Sequence, residues 1–412
     1  MDLLIESATL LDLDTGELHG GSSVRVEGDR IVETARGRTL AANDEILRVD
    51  AGDRVLLPGF IDAHVHAAFT TMNLSEMWTR PPSRRAIETK NILEAMLRRG
   101  FTTVRDAGGL DKGISESIDA GLINGPRVFR SGRVLSQTGG HGDVPSTGEP
   151  LCACRIKTSD FSHVADGVDA VRRAAREELK NGAHQIKVMA GGGVVSLTDP
   201  IDMVQYTGEE IRAAVTEASA RRTYVLAHAY IPEAIIQAVK AGVRSIEHGN
   251  LIDESAARVM AEHDCFLVPT LATYDAIASL GKQFNFPPES LRKLNDVLED
   301  GAKAIEIAVA AGVSIGFGTD LLGEAHDRQS REFELRAAVQ SPLDVLRSAT
   351  ITNAELIGQA GELGVVAPGA FADLVLVDGN PLADVAVLGG QGDRLDLIVR
   401  GGEVIQNRLH RV

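Results

Sequence analysis

Residues 57–66 read LPGFIDAHVH, an apolar run that leads into two histidines one residue apart. The run is typical of a buried strand, in which successive side chains alternate between the two faces of the sheet. His64 and His66 therefore point the same way, while Val65 points the opposite way. Neutral imidazole is a good ligand for zinc and similar divalent ions. Taken alone, the pair is equally compatible with a hydrogen-bonded core histidine beside an incidental one.

The composition predicts a soluble globular enzyme, because 44% of the 412 residues are hydrophobic and 24% are charged. We expect a cytoplasmic protein, since no apolar run has the length of a transmembrane helix and the N-terminus is acidic where a signal peptide is basic. A net charge of −16 disfavours nucleic acid and anionic membranes as partners. Cys152, Cys154 and Cys265 are predicted to be free thiols, with metal contact by Cys152-x-Cys154 as a weaker alternative.

Strand and helix signals alternate from Pro58 to about residue 357. Gly100 ends one predicted helix, Thr207 and Glu210 form a capping-box pattern, and Ser341 caps the last helix. Eight such strands are predicted, which indicates an α/β fold of the (β/α)8 TIM barrel type. In this fold, functional groups lie at the C-terminal ends of the strands. An open doubly wound sheet is the alternative, but no Gly-x-Gly-x-x-Gly turn follows the first strand.

Short strands are predicted at both ends of the chain. They lie at residues 3–11, 23–27, 30–34 and 54–57, and again at 372–378, 395–400 and 403–405. We therefore predict a small composite β-sandwich domain from residues 1–57 and 358–412. The barrel, residues 58–357, would be inserted between its two halves.

Polar side chains mark the ends of several predicted barrel strands. They are His64, His66, Lys187, His228, His248 and Asp320. Each alone has an ordinary structural explanation, such as an ion pair for the lysine or a loop cap for the aspartate. Because the C-terminal ends of barrel strands meet at one rim, we predict that the six form a metal site. Glu247 would point to the opposite face of its strand from His248 and is not expected to be a ligand.

These residues resemble the amidohydrolase superfamily over essentially the whole chain. The matching motifs are PGFIDAHVH at 58–66, Lys187, His228, EHG at 247–249, GTD at 318–320 and AFADL at 370–374. RRGFTTVRD at 98–106, TGGH at 138–141 and AHAY at 227–230 further resemble its prolidase-type group, the Xaa-Pro or Xaa-Arg/Lys dipeptidases. The resemblance implies a binuclear site with two divalent metal ions, for which Zn²⁺ is expected.

The resemblance also assigns the ligands. Lys187 would be carboxylated, which needs CO2 or bicarbonate, and its carbamate would bridge the ions. The amine reacts only when neutral, a state that burial favours. His64, His66 and Asp320 would bind the more buried ion, and His228 and His248 the other, with a hydroxide between them.

The implied reaction is cleavage of an amide bond in a dipeptide or N-acyl amino acid with a free C-terminal carboxylate. The bridging hydroxide would attack the carbonyl, while Asp320 accepts a proton and passes it to the leaving amine. By the same resemblance His141 would donate a hydrogen bond to the oxyanion, and Tyr230 would hold the carboxylate. A surface loop histidine and a packing tyrosine are the alternatives. A homo-oligomer is expected, with the octamer as one form.

Other functions stay open at this point. The same site could act on an ester, lactone, organophosphate or cyclic amide, and a non-catalytic barrel is a remote alternative. Lys187 argues against the mononuclear deaminase and imidazolonepropionase branches. An ion pair between Arg105 and Asp106 is one interpretation of the end of the second strand. The remaining histidines are predicted on the surface, with His326 alone near the site; they are His19, His163, His184, His263, His326 and His410.

Overall fold

A computed structural model describes residues 2–40, 46–77, 79–143, 161–196 and 199–409. In these ranges the chain is a mixed α/β structure with one mixed sheet and two parallel sheets. Cys152, Cys154 and His410 lie outside the described residues. Among the described helices, none combines the length and apolar character that crossing a bilayer requires.

The N-terminal segment forms strands that precede the histidine stretch. They are β1 (Leu3–Leu11), β2 (Leu18–Glu27), β3 (Arg30–Ala35), β4 (Leu47–Asp50) and β5 (Val55–Pro58). β1 pairs antiparallel with β2, and alternate residues such as Ile5, Val24 and Val26 are buried in one apolar core. The alternation of apolar and polar residues therefore fixes which face of the sheet is covered.

The next strands pair only in parallel. They are β6 (Phe60–Val65), β7 (Phe101–Asp106), β8 (Arg127–Arg130), β9 (Val134–Ser136), β10 (Ser162–Val164), β11 (Ile186–Met189), β12 (Val225–Ala229), β13 (Ser245–His248) and β14 (Phe266–Val268). One sheet has the order β6-β7-β8 and the other β10-β9-β11-β12-β13-β14. Because the strands within each of these sheets are parallel, their C-terminal ends lie at one edge of that sheet.

The predicted strand at 314–319 is an isolated bridge between Leu267 and Ile315 rather than a ladder. Glycine weakens a strand and allows close approach: a Cβ on Gly318 would lie 2.7 Å from the Cβ of His64. Backbone bonds still join the segment on both sides. Gly316 N–H donates to the Leu267 carbonyl at 2.8 Å, and Ala63 N–H donates to the Phe317 carbonyl at 2.8 Å.

The C-terminal strands return to the first sheet. They are β15 (Leu374–Val377), β16 (Leu395–Arg400) and β17 (Glu403–Asn407), and the sheet has the order β17-β16-β15-β5-β1-β2-β3, with β4 beside β1. β15 pairs antiparallel with β5, so that Leu374 lies opposite Pro58. Strands from the two ends of the chain thus form one sheet, and its strand β5 directly precedes β6 in the chain.

Helices cover the parallel sheets. They are α1 (Pro82–Arg98), α2 (Lys112–Asp119), α3 (Val168–Lys180), α4 (Gly208–Ala220), α5 (Pro232–Ala241), α6 (Glu254–Glu262), α7 (Leu271–Leu280), α8 (Pro288–Leu298), α9 (Gly301–Ala310), α10 (Arg331–Ala337) and α11 (Pro342–Arg347). Shorter helical turns lie at Leu74–Met77, Gly323–Arg328, Ser348–Thr352, Asn353–Leu356 and Val385–Gly389. The capping box of Thr207 and Glu210 is confirmed, as is the cap by Ser341. Small buried residues, among them Ala174, Ala214 and Ala238, let the helices pack closely on the strands.

Candidate metal centre and active site

His64, His66 and Asp320 converge at the C-terminal edge of the parallel strands. The Nε2 atoms of His64 and His66 lie 3.4 Å and 3.3 Å from Oδ1 of Asp320. One ligand atom from each of the three residues lies within 4.8 Å of the others, so the group could hold a metal ion.

The other ring nitrogen of His64 and of His66 is already used. His64 Nδ1 donates to Glu247 Oε2 at 2.7 Å, and His66 Nδ1 donates to the Gly108 carbonyl at 2.8 Å. Because both partners only accept, the neutral rings present their Nε2 lone pairs toward Asp320. His64 Nε2 is buried and has no hydrogen-bond partner among the described residues. A buried nitrogen lone pair that accepts no hydrogen bond fits the binding of a metal ion. His64, His66 and Asp320 are therefore a suitable set of metal ligands.

His228 and His248 lie beside this group. The ring centroid of His248 is 5.0 Å from that of His64 and 4.5 Å from that of His228. His228 Nε2 donates to the Gly192 carbonyl at 2.9 Å, which leaves its Nδ1 as the lone-pair atom. His248 Nδ1 pairs with Thr270 Oγ1 at 2.8 Å, which frees its Nε2 for a ligand. The structure thus brings all four predicted histidine ligands together.

Lys187 lies in β11 and is 1% exposed. Burial lowers its pKa to about 8, against the opposing effects of Glu247 and Asp320. After burial itself, the charge of Lys187 is the strongest influence that lowers the pKa values of His64 and His66, the latter to about 3. The imidazoles of His64 and His66 are therefore neutral near neutral pH, and the amine of Lys187 is partly neutral there.

Three residues at this edge have strained backbone. His248, Thr270 and Asp320 have φ angles of +75°, +46° and +50°. These angles lie in the left-handed region, which residues other than glycine rarely adopt. The backbone N–H of Asp320 donates to the His64 carbonyl at 2.7 Å, which holds the strained turn in place. Burial raises the pKa of Asp320 to about 7, although Lys187 opposes the shift. The side chain keeps 19% of its exposure, so a bound ligand can reach it.

Glu247 is a functional residue whose role the sequence did not reveal. It is fully buried, and both of its carboxylate oxygens accept hydrogen bonds from Arg105 Nη2, at 2.8 Å and 2.9 Å. The carboxylate therefore orients His64 while Arg105 compensates its charge. The available signal was a charged residue directly before a predicted histidine ligand at the end of a strand.

The interpretation of Arg105 and Asp106 as an ion pair is wrong. Adjacent strand residues point to opposite faces, and Arg105 points to Glu247. Asp106 instead accepts the backbone N–H groups of Ala67 at 3.0 Å and of Gly108 at 3.0 Å. It thereby shapes the loop whose Gly108 carbonyl holds His66.

Asp62 ties β6 to the segment that carries Asp320. Its Oδ1 accepts the N–H of His64 at 3.1 Å and that of Thr319 at 3.2 Å, and its Oδ2 accepts the Thr319 hydroxyl at 2.7 Å. Gln329 Nε2 donates to the same Oδ2 at 2.9 Å. Asp62 therefore sets the spacing between the end of β6, where His64 and His66 lie, and Asp320.

His141 and Tyr230 both lie against the histidine cluster. The ring of His141 stacks on that of His228, with centroids 4.4 Å apart and an interplanar angle of 19°. Tyr230 is 3% exposed, and its ring centroid is 5.0 Å from that of His228. Its hydroxyl contacts that of Tyr274 at 2.9 Å. Tyr274, in α7, was not predicted, because nothing in its local sequence links it to a strand about forty residues earlier.

The remaining histidines depart in part from the surface prediction. His326 is 3% exposed, and its Nε2 contacts the Phe69 carbonyl at 3.3 Å near His66. His184 accepts the N–H of Arg130 at 3.2 Å, and burial lowers its pKa. Burial also lowers the pKa of His163. His326 is therefore buried and His163 is half-buried, whereas His184 is exposed as predicted.

The sequence model of the amidohydrolase family matches residues 55–404. The ochratoxinase of Aspergillus niger is 34% identical, over 81% of this chain and 72% of the relative. A prolidase solved in complex with N-methylphosphonate-L-proline is 48% identical, with a TM-score of 0.96 and coverage of 99% of this chain and 100% of that one. A Xaa-Pro dipeptidase with bound methionine is 30% identical, with a TM-score of 0.87 and coverage of 98% and 99%. With the family match spanning both the histidine stretch and Asp320, the chain belongs to the amidohydrolase family.

Proposed function

We propose that the chain is a metal-dependent hydrolase that cleaves the amide bond of dipeptides or N-acyl amino acids with a free C-terminal carboxylate. The observation that carries the proposal is the buried Nε2 of His64, which has no hydrogen-bond partner in the part of the chain that the structure describes and faces Asp320 beside Nε2 of His66. The prolidase relative, which is 48% identical and was solved with a phosphonate of L-proline, supports the substrate class.

The proposed architecture is a closed (β/α)8 barrel, residues 58–357, inserted into a small β-sandwich domain of residues 1–57 and 358–412. The support is the backbone pairing of the 314–319 segment with Leu267 on one side and with Ala63 on the other. The antiparallel pairing of β15 with β5 supports the composite domain. The homo-oligomer and the cytoplasmic location remain predictions from the sequence.

We assign His64, His66 and Asp320 to one divalent ion and His228 and His248 to a second, with carboxylated Lys187 between them. Zn²⁺ is the proposed metal, since imidazole nitrogens dominate the donor set. The ions would supply a water that is deprotonated near neutral pH and would polarise the scissile carbonyl. The protein's part is to hold neutral imidazoles and to exclude bulk water from the edge where they meet.

Asp320 is the proposed proton carrier. Its pKa, raised by burial to about 7, suits a group that accepts a proton and returns it to the leaving amine near neutral pH. The strained backbone at Asp320 and the two contacts of its Oδ1 with His64 and His66 fix the position of the carboxylate. His141 is the proposed hydrogen-bond donor to the carbonyl oxygen as charge develops on it.

Tyr230 is the proposed site for the substrate carboxylate. The contact between the hydroxyls of Tyr230 and Tyr274 uses one of their two protons. The other proton stays available to a carboxylate. The rings of Phe69 and Phe161 lie 5.6 Å and 5.9 Å from that of His66, which favours an apolar acyl group there.

The test is a library of L-Xaa-L-Xaa dipeptides and N-acyl amino acids, assayed with zinc and bicarbonate. We expect turnover of compounds with a free carboxylate, and loss of turnover after the metal is removed by a chelator. If the zinc-loaded protein cleaves esters, lactones, organophosphates or cyclic amides but none of these amides, the proposed substrate class is wrong.

A further inference from the structure

We propose that Lys293 is a positioning residue for His228 and thereby sets the affinity for the second metal ion. Lys293 lies in α8 and is 4% exposed. Its side chain contacts the loop that follows β11, and the Gly192 carbonyl of this loop accepts a hydrogen bond from His228 Nε2 at 2.9 Å. The inference rests on the proposed function only in the second ion, which His228 and His248 would hold.

The ammonium group of Lys293 is bound by backbone carbonyls of that loop. Its Nζ donates to the carbonyls of Gly193 at 3.1 Å, Ser196 at 3.0 Å and Asp199 at 2.5 Å. An ammonium group has three protons, so these three bonds use its full donor capacity. The planar donor fork of an arginine does not match three carbonyls that meet at one point. The lysine therefore joins three points of one loop to α8.

A single peptide unit links these carbonyls to His228. In the peptide between Gly192 and Gly193, the carbonyl accepts from His228 and the N–H donates to Asp199 Oδ2 at 2.9 Å. Lys293 binds the carbonyls of both Gly193 and Asp199. The orientation of the carbonyl that faces His228 therefore depends on the position in which Lys293 holds these two residues.

The Gly192 carbonyl determines which nitrogen of His228 is free for a metal ion. A carbonyl only accepts, so the bond places the ring proton on Nε2 and leaves the lone pair on Nδ1. Partners of this kind orient a metal-binding histidine, and their loss typically lowers metal affinity about 10- to 100-fold. Removal of Lys293 would displace the carbonyl without deleting it. We therefore expect an effect at the lower end of that range.

Apolar packing also joins α8 to the loop. Leu294 and Val297 of this helix are 2% and 0% exposed, and they belong to the same apolar cluster as Val194 of the loop. This packing stabilises the helix but has no direct contact with the carbonyls that Lys293 binds. The effect of Lys293 on metal binding can therefore be separated from the general stability of the helix by substitution.

The test is the zinc affinity of Lys293→Met, measured by competition with a chelator in the presence of bicarbonate, together with the zinc content of each chain. We expect two zinc ions in the wild-type chain. Lys293→Met should bind the first ion within about threefold of the wild-type affinity and the second ion about tenfold more weakly. On a cleaved dipeptide, its turnover should fall at limiting zinc and recover in excess zinc.

Three further variants separate positioning from general stability. Lys282→Met removes the same charge from an exposed position before α8 and should bind both ions normally. Leu294→Ala should lower the unfolding temperature by leaving a cavity, yet keep the wild-type affinity for the second ion. His228→Ala removes a proposed ligand of the second ion and identifies which binding step belongs to that ion.

Equal affinities for the second ion in Lys293→Met and Lys282→Met would overturn the inference, and so would an equal loss in Leu294→Ala. If Lys293→Met does not fold, Lys293→Gln serves, because its amide has two protons for the carbonyls; it should also weaken only the second ion. A wild type that holds one zinc ion overturns the inference together with the two-ion site. If the wild type holds two ions and cleaves no amide, the proposed substrate class fails, and the zinc affinities still decide the role of Lys293.

Discussion

Glu247 Oε2 accepts a hydrogen bond from His64 Nδ1 at 2.7 Å, and both side chains are fully buried. The bond fixes the tautomer of His64 and directs its Nε2 toward Asp320. Arg105 completes this group of hydrogen-bonded side chains, since it donates to both carboxylate oxygens of Glu247. The position of the first proposed metal ligand therefore depends on a residue from another strand, 183 positions later.

Glu247→Gln should weaken metal binding about 10- to 100-fold, the size typical for loss of a partner behind a metal-binding histidine. The amide keeps the shape of the side chain but removes the charge that pairs with Arg105. Competition with a chelator measures the affinity. Glu262→Gln, at an exposed position of α6, is the control and should bind metal normally. Equal affinities in the two variants would show that Glu247 does not orient His64.

Gly318→Ala should displace His64 and lower both stability and metal affinity. The added Cβ would lie 2.5 Å from Val268 Cγ1 and 2.7 Å from His64 Cβ, and such overpacking costs about 1–3 kcal/mol. Gly208→Ala is the control, because its nearest neighbour would be Gln237 Cγ at an ordinary 3.7 Å. Thermal unfolding and metal titration measure the two effects. A Gly318→Ala protein as stable as Gly208→Ala would contradict the close packing.

Carboxylation of Lys187 should depend on pH. With a pKa of about 8, the amine of the metal-free protein is half neutral at pH 8, and roughly a tenth neutral at pH 7. Reconstitution with zinc and bicarbonate should therefore be severalfold faster at pH 8.5 than at pH 7, and Lys187→Ala should show no bicarbonate dependence. A rate independent of both pH and bicarbonate would count against the carbamate.

The same pKa predicts how the metal-free protein's stability changes with pH. Between about 8 and 10.5 the unfolded chain binds a proton at Lys187 that the folded chain does not. This residue's contribution to the free energy of unfolding therefore rises with pH across that interval. Denaturant unfolding of wild type, compared with Lys187→Met at pH 7.5 and 10, isolates the contribution. A difference that does not shrink as the pH rises would contradict a lowered pKa.

Tyr230→Phe should raise KM for dipeptides more than for the corresponding dipeptide amides, by about tenfold for loss of one hydrogen bond to a charged group. Tyr274→Phe is the companion variant, since it removes the neighbouring hydroxyl at 2.9 Å. Steady-state kinetics on matched acid and amide pairs measure the effect. An equal change for acids and amides would remove Tyr230 from the carboxylate site.

Residues that end parallel strands could be placed from the sequence. His64, His66, His228 and His248 follow apolar runs, and parallel strands bring such ends to one edge. The helix starts at Thr207 and Ser341 could also be predicted from the sequence, because capping involves residues that are close together in the chain.

What could not be predicted depends on partners far apart in the chain. Glu247 meets His64, Asp62 meets Gln329, and Tyr274 meets Tyr230 only after the strands are arranged. The continuous strand expected at 314–319 is interrupted, since Gly316 and Gly318 form few ladder bonds. Local propensity holds no information on these contacts.

The most direct test of the central claim compares the zinc-loaded wild type with Asp320→Asn on Xaa-Pro dipeptides, with metal content measured on the same samples. We predict that the wild type cleaves at least some of these amides, and that Asp320→Asn keeps its fold and most of its metal but loses turnover on the order of 10³-fold or more. A wild type that holds zinc and cleaves no amide with a free carboxylate, or an Asp320→Asn variant with wild-type turnover, would contradict the account.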